Sequence, residues 1–449
     1  MRKNKWIAWV GAGAAVAAVA VPGRAMAQTT CQDPTFPNPV YVAGSTAIQP
    51  VLEAAAAQLG SQATVIYFAN GSCSGLKSVV GTENPTGPAT PLTSAAWPLM
   101  SSPDSSGNWV QTIGGNVGYT PTCTVGQAAG QTAGQAVDVA FSDVYPGTCT
   151  INANSGIPSS TQKEFLGPIQ AMGFWVPSSS TQSSISADAA YVVFGWAGSS
   201  YVVNPWNSAS EIWHRSTGSG TQGMIAKAIG LASVKWQGTS TSDTGTLLTD
   251  LANAPTPEGA IGIAGAEDLL TVPSLSSSAL KMLAYQHTGQ DCGYYPNSTA
   301  NTRDMINVRQ GRYAIWGPVH LVVNVDANGN PVDHTGQPNA ALTAFMNLFI
   351  GTGPTSPSAN QSDAGLSDTD KQAFIAAEAN AGVVPWCAMQ VIRTEEVGPE
   401  ASYQTTDPCG CYFETTLGGA TTTCSKCTSD SDCTDPASPV CRYGYCEAQ

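Results

Sequence analysis

The chain has 449 residues and a formal net charge of −14, from 17 Lys and Arg against 31 Asp and Glu. A surface this acidic repels nucleic acid and anionic membrane, so neither is expected as a partner. The length is enough for two or three domains.

The first residues, Met1-Arg2-Lys3-Asn4-Lys5-Trp6, are basic, an apolar run extends from Ile7 to Pro22, and Ala25-Met26-Ala27 follows. That order predicts a secretory signal peptide over residues 1–27, cleaved after Ala27, with an apolar run short for a membrane span. An uncleaved amino-terminal anchor is the alternative. No convincing lipobox precedes Cys31, and no later segment is apolar for long enough to span a bilayer, so no transmembrane segment is expected after cleavage. Export implies that most of the 13 cysteines form disulfides. Seven crowd into residues 409–446, and the odd total leaves one free, paired between chains, or modified.

Val40 to Ala43 reads as a strand, Gly44-Ser45-Thr46 as a turn, and Ile48 to Leu59 as a helix with Pro50 in its first turn. Thr64 to Phe68 is a second strand, ending in the turn Asn70-Gly71-Ser72-Cys73-Ser74-Gly75. Residues 82–136, rich in Gly, Thr, Ser and Pro, read as a long surface excursion. Val137 to Phe141 is a strand ending at Ser142-Asp143, and Gly167 to Val176 a strand crossing out of the first lobe. Residues 186–312 form a second α/β run, in which the strand Glu211 to His214 leads through Arg215-Ser216-Thr217-Gly218-Ser219-Gly220-Thr221 into the helix Met224 to Ile229. His214 is read as packing outward. Gly259 to Ala264 is a small-residue strand, Ala314 to Val325 a strand returning to the first lobe, and Ala340 to Ile350 and Asp368 to Ala381 are helical. Alternating strands and helices predict α/β lobes with mostly parallel sheets, and a chain that leaves one lobe and returns builds a cleft between two.

A glycine-rich turn at a helix start aims backbone N–H groups and the positive helix end at one spot. Ser219 and Thr221 add hydroxyl donors, and Arg215 adds a planar charged fork suited to a tetrahedral oxyanion. Three further strand ends carry small hydroxyl residues, and ligands of parallel α/β sheets gather at carboxyl ends of strands. One such junction is ordinarily a helix cap. Four in one chain, one with arginine, predict a shared anion site.

The order Gly-Ser-Thr, Asn-Gly-Ser-x-Ser-Gly, Phe-Ser-Asp and Arg-x-x-Gly-Ser-Gly-Thr resembles that of periplasmic phosphate-binding proteins of ABC transporters, over about residues 38–400. The resemblance implies a two-lobed type II periplasmic-binding fold, with a first lobe over 28–160 and 313–404 and a second over 161–312; the Pro- and Cys-rich residues 405–449 read as a separate tail. It also implies a binding role with no bond broken, and membrane subunits of an ABC transporter as partners. Matched motif to motif, Thr46, the N–H of Ala47, and Ser72 would donate to phosphate oxygens. Asp143 would accept a hydrogen bond from the ligand's own proton, and Arg215, Ser219, Gly220 and Thr221 would clamp from the other lobe. A buried carboxylate separates protonated phosphate from sulfate, which has no proton to give it. The chain departs from the family in its long excursion, in Cys73, and in the tail.

Other readings have weaker support. Gly218-x-Gly220-x-x-Gly223 matches a dinucleotide fingerprint, but no suitable acid follows about twenty residues on. Gly71-Ser72-Cys73-Ser74-Gly75 resembles a nucleophile elbow, yet none of His214, His287, His320 and His334 has triad spacing. Cys424-Ser425-Lys426-Cys427 has zinc spacing in a compartment that favours disulfides. No cofactor or metal is expected. The alternative function is an adhesion or surface protein that reuses this fold, with the tail as its attachment or partner module.

Overall fold

The computed structural model describes residues 31, 36–86, 88–92, 123–125, 134–149, 159–199, 203–268, 275, 278–350, 367–417 and 424–448. The signal peptide read over 1–27, and residues 93–122 and 126–133 of the expected excursion, lie outside the described residues.

In chain order, β1 (Pro39–Gly44) leads into α1 (Gln49–Leu59) and β2 (Thr64–Phe68) into α2 (Ser72–Val79). The short β3 (Pro88–Leu92) and β4 (Cys123–Thr124) precede β5 (Val139–Ser142) and the long β6 (Gln162–Pro177). Then come β7 (Ser184–Ser186), α3 (Ala187–Gly195), β8 (Ile212–Arg215), α4 (Gly220–Ile229), β9 (Thr239–Thr241), α5 (Thr244–Ala252) and β10 (Ile261–Gly265). β11 (Leu280–Met282), β12 (Ala284–Gln286), α6 (Ile306–Arg309), β13 (Trp316–Asn324), α7 (Ala340–Ile350) and α8 (Asp368–Asn380) follow. The chain closes with β14 (Val391–Ile392), β15 (Ala401–Ser402), α9 (Gly410–Thr416), β16 (Val440–Arg442) and β17 (Tyr445–Glu447).

Two halves repeat one plan. In the first, β2, β1 and β5 run parallel in that order and antiparallel β13 follows β5. In the second, β9, β8 and β10 run parallel and antiparallel β6 follows β10. β6 and β13 also pair with each other, from Gln162↔Asn324 to Ala171↔Trp316, which joins both halves into one curled sheet. The order second, first, third and one returning antiparallel strand, present twice with two crossing strands between, is the two-lobed type II periplasmic-binding fold with its cleft between the lobes. A small disulfide-rich tail is added at the carboxyl end.

The strands are long apolar runs because both faces are covered. All five residues of β2, Thr-Val-Ile-Tyr-Phe, are buried. α1 buries Val51, Leu52, Ala55, Ala56 and Leu59, a single stripe at helical spacing. In the same core cluster, Phe141 meets Phe345 and Phe349 of α7 edge-on at centroid distances of 6.0 and 5.4 Å.

Twelve cysteines form six disulfides, and Cys292 is the unpaired one. Three staples lie within the tail: Cys411–Cys424, Cys427–Cys441 and Cys433–Cys446. The tail is tied to the body by Cys387–Cys409, by the Arg309–Glu414 ion pair at 2.5 Å, and by Lys371–Asp407 at 3.3 Å.

Several buried acids, and the half-buried Glu53, make stability pH-dependent. Burial, the largest cause in each case, pushes Glu53 up to about 7, Asp143 to about 6, Glu396 to about 8 and Glu447 to about 7. An acid with a raised folded pKa holds its proton more tightly folded than unfolded. Its contribution is complete at low pH and is lost as pH rises through the folded value. His334, raised by its hydrogen bond to Asp138, loses its contribution in the same direction. The melting midpoint of the ligand-free protein is therefore expected to be higher at pH 5.5 than at pH 8, by roughly 3 °C or more. Calorimetric scans at the two pH values test this, and a midpoint that rises toward pH 8 would contradict it.

Candidate functional site

The site begins where β1 ends. Gly44 has φ of +136°, and a Cβ there would lie 1.9 Å from the Phe141 carbonyl oxygen, so only glycine lets β1 and β5 end this close together. Ser45 is buried and its Oγ accepts from the Ala47 N–H at 3.1 Å. Thr46 between them is half-buried. Ser72 opens α2, where its Oγ donates to Asp143 Oδ2 at 3.0 Å and accepts from the Asp143 N–H at 3.2 Å. Cys73–Cys149 staples the start of α2 to the segment after β5, which fixes Ser72 beside Asp143. This also removes the thiol that the elbow reading needs.

Asp143 is 3% exposed, and its Oδ1 has no hydrogen-bond partner. Burial raises its pKa, the Ser45 and Ser72 hydroxyls and Arg215 lower it, and Asp268 raises it.

From the other lobe, β8 delivers Arg215, which is 3% exposed. Its Nη1 donates to Thr244 Oγ1 and its Nη2 to the Ser242 carbonyl at 3.0 Å, while Nε has no partner. Burial pulls the guanidinium pKa down, and Asp268, Asp143 and Asp243 oppose that. Ser219 caps α4 through the Gln222 N–H, and Gly220 and Thr221 form the first turn. His214, read as packing outward, is instead buried, with Nδ1 3.1 Å from Gln222 Oε1 and its ring against Trp236. An outward strand position was expected there, but α4 and the Trp236 segment cover that face.

The two lobes touch at these turns. The Cys73 N–H donates to the Gly218 carbonyl at 3.2 Å. A Cβ on Gly220 would lie 2.4 Å from Ser72 Oγ and 2.7 Å from Asp143 Oδ2. The structure thus brings Ser72, Asp143 and Gly220 into direct contact, with Arg215 in electrostatic reach of Asp143. Gly220→Ala should hold the lobes apart and leave each lobe intact. Oxyanion affinity is expected to fall by about 100-fold, a cost of about 3 kcal/mol typical of overpacking. Small-angle scattering with ligand should then show the wider, open form; compaction equal to the wild type would refute the contact.

Two acids of the site escaped the sequence reading. Glu267 and Asp268 follow β10 and are each 1% exposed. Asp268 Oδ2 accepts from the Gly265 N–H at 2.5 Å, and its charge reaches Arg215. Both carboxyl oxygens of Glu267 lack a partner. The usable signal was the strand-end rule itself, applied to Gly259–Ala264 as it had been to four other strands. Ser45, flanked by the motif's Gly44 and Thr46, was also passed over.

Among the described residues, one set of three His, Cys, Asp or Glu ligand atoms lies within 4.8 Å: Cys427, Cys433 and Cys446, whose sulfurs are all in disulfides. A surface cavity lies elsewhere, between Arg309, Gln390, Glu414 and Glu447, and none of the eight candidate residues lines it. No described helix is long and apolar enough to cross a membrane.

No family model matches the chain, and no curated protein does. Among solved structures, a putative phosphate ABC transporter substrate-binding protein with bound phosphate from Clostridium perfringens is 10% identical, with a TM-score of 0.44, over 78% of this chain and 99% of that one. An ABC-type phosphate transport receptor from Vibrio cholerae is 10% identical, with a TM-score of 0.41, over 77% and 99%. The substrate-binding domain of a putative molybdenum ABC transporter from Clostridium difficile is 10% identical, with a TM-score of 0.32, over 77% and 98%. At such identities and scores these likenesses add nothing about the site, and the fold rests on the strand order above.

Proposed function

We propose that this chain is an extracytoplasmic solute-binding protein that captures phosphate in the interlobe cleft and passes it to the membrane subunits of an ABC transporter. The observation that carries the reading is a pair of buried unsatisfied groups at strand ends of opposite lobes, in electrostatic reach of each other: Arg215 Nε, a fixed cationic donor, and Asp143 Oδ1, an acceptor. A tetrahedral anion that keeps a proton satisfies both. The turns that carry Thr46, Ala47, Ser72, Ser219, Gly220 and Thr221 supply further hydroxyl and N–H donors, and the ends of α2 and α4 favour negative charge. Bound ligand would draw the Ala47 N–H away from Ser45 and the Ser72 hydroxyl away from Asp143. Nothing in this role breaks a bond. Six disulfides fit an oxidising compartment outside the cytoplasm, in keeping with export. The lobe limits proposed are 28–160 with 313–404, and 161–312, with the tail over 405–449.

The test is calorimetric titration of protein stripped of ligand, first with phosphate and then with sulfate. Saturable phosphate binding with sulfate inert is expected. An equal response to both would remove Asp143 from the ligand, and no response to either from folded protein would refute the proposal. The adhesion reading draws on the three disulfides confined to the tail. It predicts surface attachment that survives loss of Arg215.

A further inference from the structure

The charge around the junction does not suit an anion as it stands. Arg215 is the cation whose field reaches both Asp143 and Asp268. Against it stand Asp143 after β5, Asp268 and Glu267 after β10, and Asp243, the N-cap of α5. Glu396, from the segment between β14 and β15, adds its field at Asp143; Arg393, which also pairs with Glu400, and Lys227 of α4 both reach Glu396. With every acid ionised, a phosphate or any other anion would enter a net negative, water-poor space, where like charges repel strongly.

Glu267 is the group placed to relieve this. β10 runs beside β8 with Gly262 level with Trp213, so continuing the register sets Ala264 level with Arg215 and Glu267 just beyond it. A Cβ on Gly265 would lie 2.3 Å from Glu267 Oε1 and 3.0 Å from Asp268 Oδ2, so both carboxyls fold back over the strand end. Asp268 is held by the Gly265 N–H, and its charge is offset by Arg215. Glu267 lacks a counter-ion: it is 1% exposed, no other residue donates to its oxygens, its own backbone N–H is the one group that favours its charge, and Asp268 and Asp143 both act on it with like charge. A buried carboxylate so poorly supplied with donors, and with no counter-ion, takes up a proton. The protonated carboxyl is then a donor.

We propose that Glu267 is a specificity-determining residue that carries a proton in the ligand-bound cleft, so that the protein captures an oxyanion and a proton together. The inference rests on the oxyanion reading above. Where the lobes part, water reaches Glu267 and it ionises, so the proton is taken up as the cleft closes on ligand; this commits the site to tetrahedral oxyanions that arrive at low net charge, and it makes capture weaken as pH rises. Asp143 reads a proton on the ligand, whereas Glu267 brings one of its own.

The experiment is calorimetric titration of the full mature chain with inorganic phosphate from pH 5.5 to 9, each point in two buffers of different ionisation enthalpy, for wild type and Glu267→Gln. The buffer pair counts protons taken up on binding, and subtracting the variant cancels protonation of phosphate itself. At pH 8 the wild type is expected to take up about one proton more than Glu267→Gln, and its affinity should fall about tenfold more per pH unit. Equal uptake by both proteins, with phosphate still bound, would overturn this inference and leave the oxyanion reading standing. No binding to the wild type at any pH would sink both. Should the variant fail to fold, the wild type alone decides. Uptake at pH 8 beyond that needed to protonate the ligand supports the proposal, and no such excess overturns it.

Discussion

Arg215→Ala is expected to lower phosphate affinity by about a thousandfold. Two charge-assisted hydrogen bonds at about 1.5–3 kcal/mol each would be lost, and the remaining hydroxyls and N–H groups carry no full charge. The side chain is already set in place by Thr244 Oγ1 and the Ser242 carbonyl, so little of its rotamer freedom remains to be lost on binding. Arg215→Lys should recover part of the affinity, because it keeps the charge and loses the fork. The alanine variant has a second signature. Asp143, Asp268 and Asp243 lose the cation that offsets them, which destabilises the lobe most where these acids are ionised. The loss in melting midpoint should therefore be larger at pH 8 than at pH 5.5. Phosphate affinity within tenfold of the wild type would remove Arg215 from the site.

The parts of this fold that could be read from the chain are those set by local pattern. Strands such as Val40–Ala43 and Thr64–Phe68 are short apolar runs closed by Gly and Ser, and the structure places β1 and β2 there. β6 runs longer than the predicted Gly167–Val176, because its amino end, Gln162–Leu166, is held by pairing with β13 rather than by an apolar pattern of its own. The strand ends that bear Asp143 and Arg215 were legible because turn chemistry at helix starts is local. Contacts between distant segments were not. The Cys73–Cys149 and Cys387–Cys409 pairings follow from tertiary approach, which cysteine spacing does not encode. The Cys387–Cys409 bridge joins the tail proposed over 405–449 to the body. Glu267 illustrates the same limit, since an acid after a strand is ordinarily solvated. Only burial beside Asp268 and across from Asp143 makes it chemically unusual.

Asp143→Asn should act on function and stability in opposite directions. A carboxylate that accepts a ligand proton repels a fully deprotonated anion, whereas an amide of the same shape donates to it. Sulfate should therefore begin to bind, and the preference for phosphate should shrink by at least about a hundredfold. The Ser72 hydroxyl can reverse its hydrogen bond to accept from the new amide, so the turn has no reason to rearrange. Stability should rise. Burial moves the folded pKa of Asp143 from 3.8 to about 6, so at pH 8 the ionised group costs about 3 kcal/mol relative to the unfolded chain. The stabilising effect of Asn should be full at pH 8 in ligand-free protein, about half as large at pH 5, and absent only below the unfolded value of 3.8, where Asp143 is protonated in both states. A residue that costs stability at working pH and is kept for discrimination is the expected mark of a binding site. If Asp143→Asn leaves sulfate excluded, Asp143 does not read the ligand. If it leaves the melting midpoint at pH 8 unchanged, the carboxylate is satisfied by partners beyond Ser45, Ser72 and Arg215.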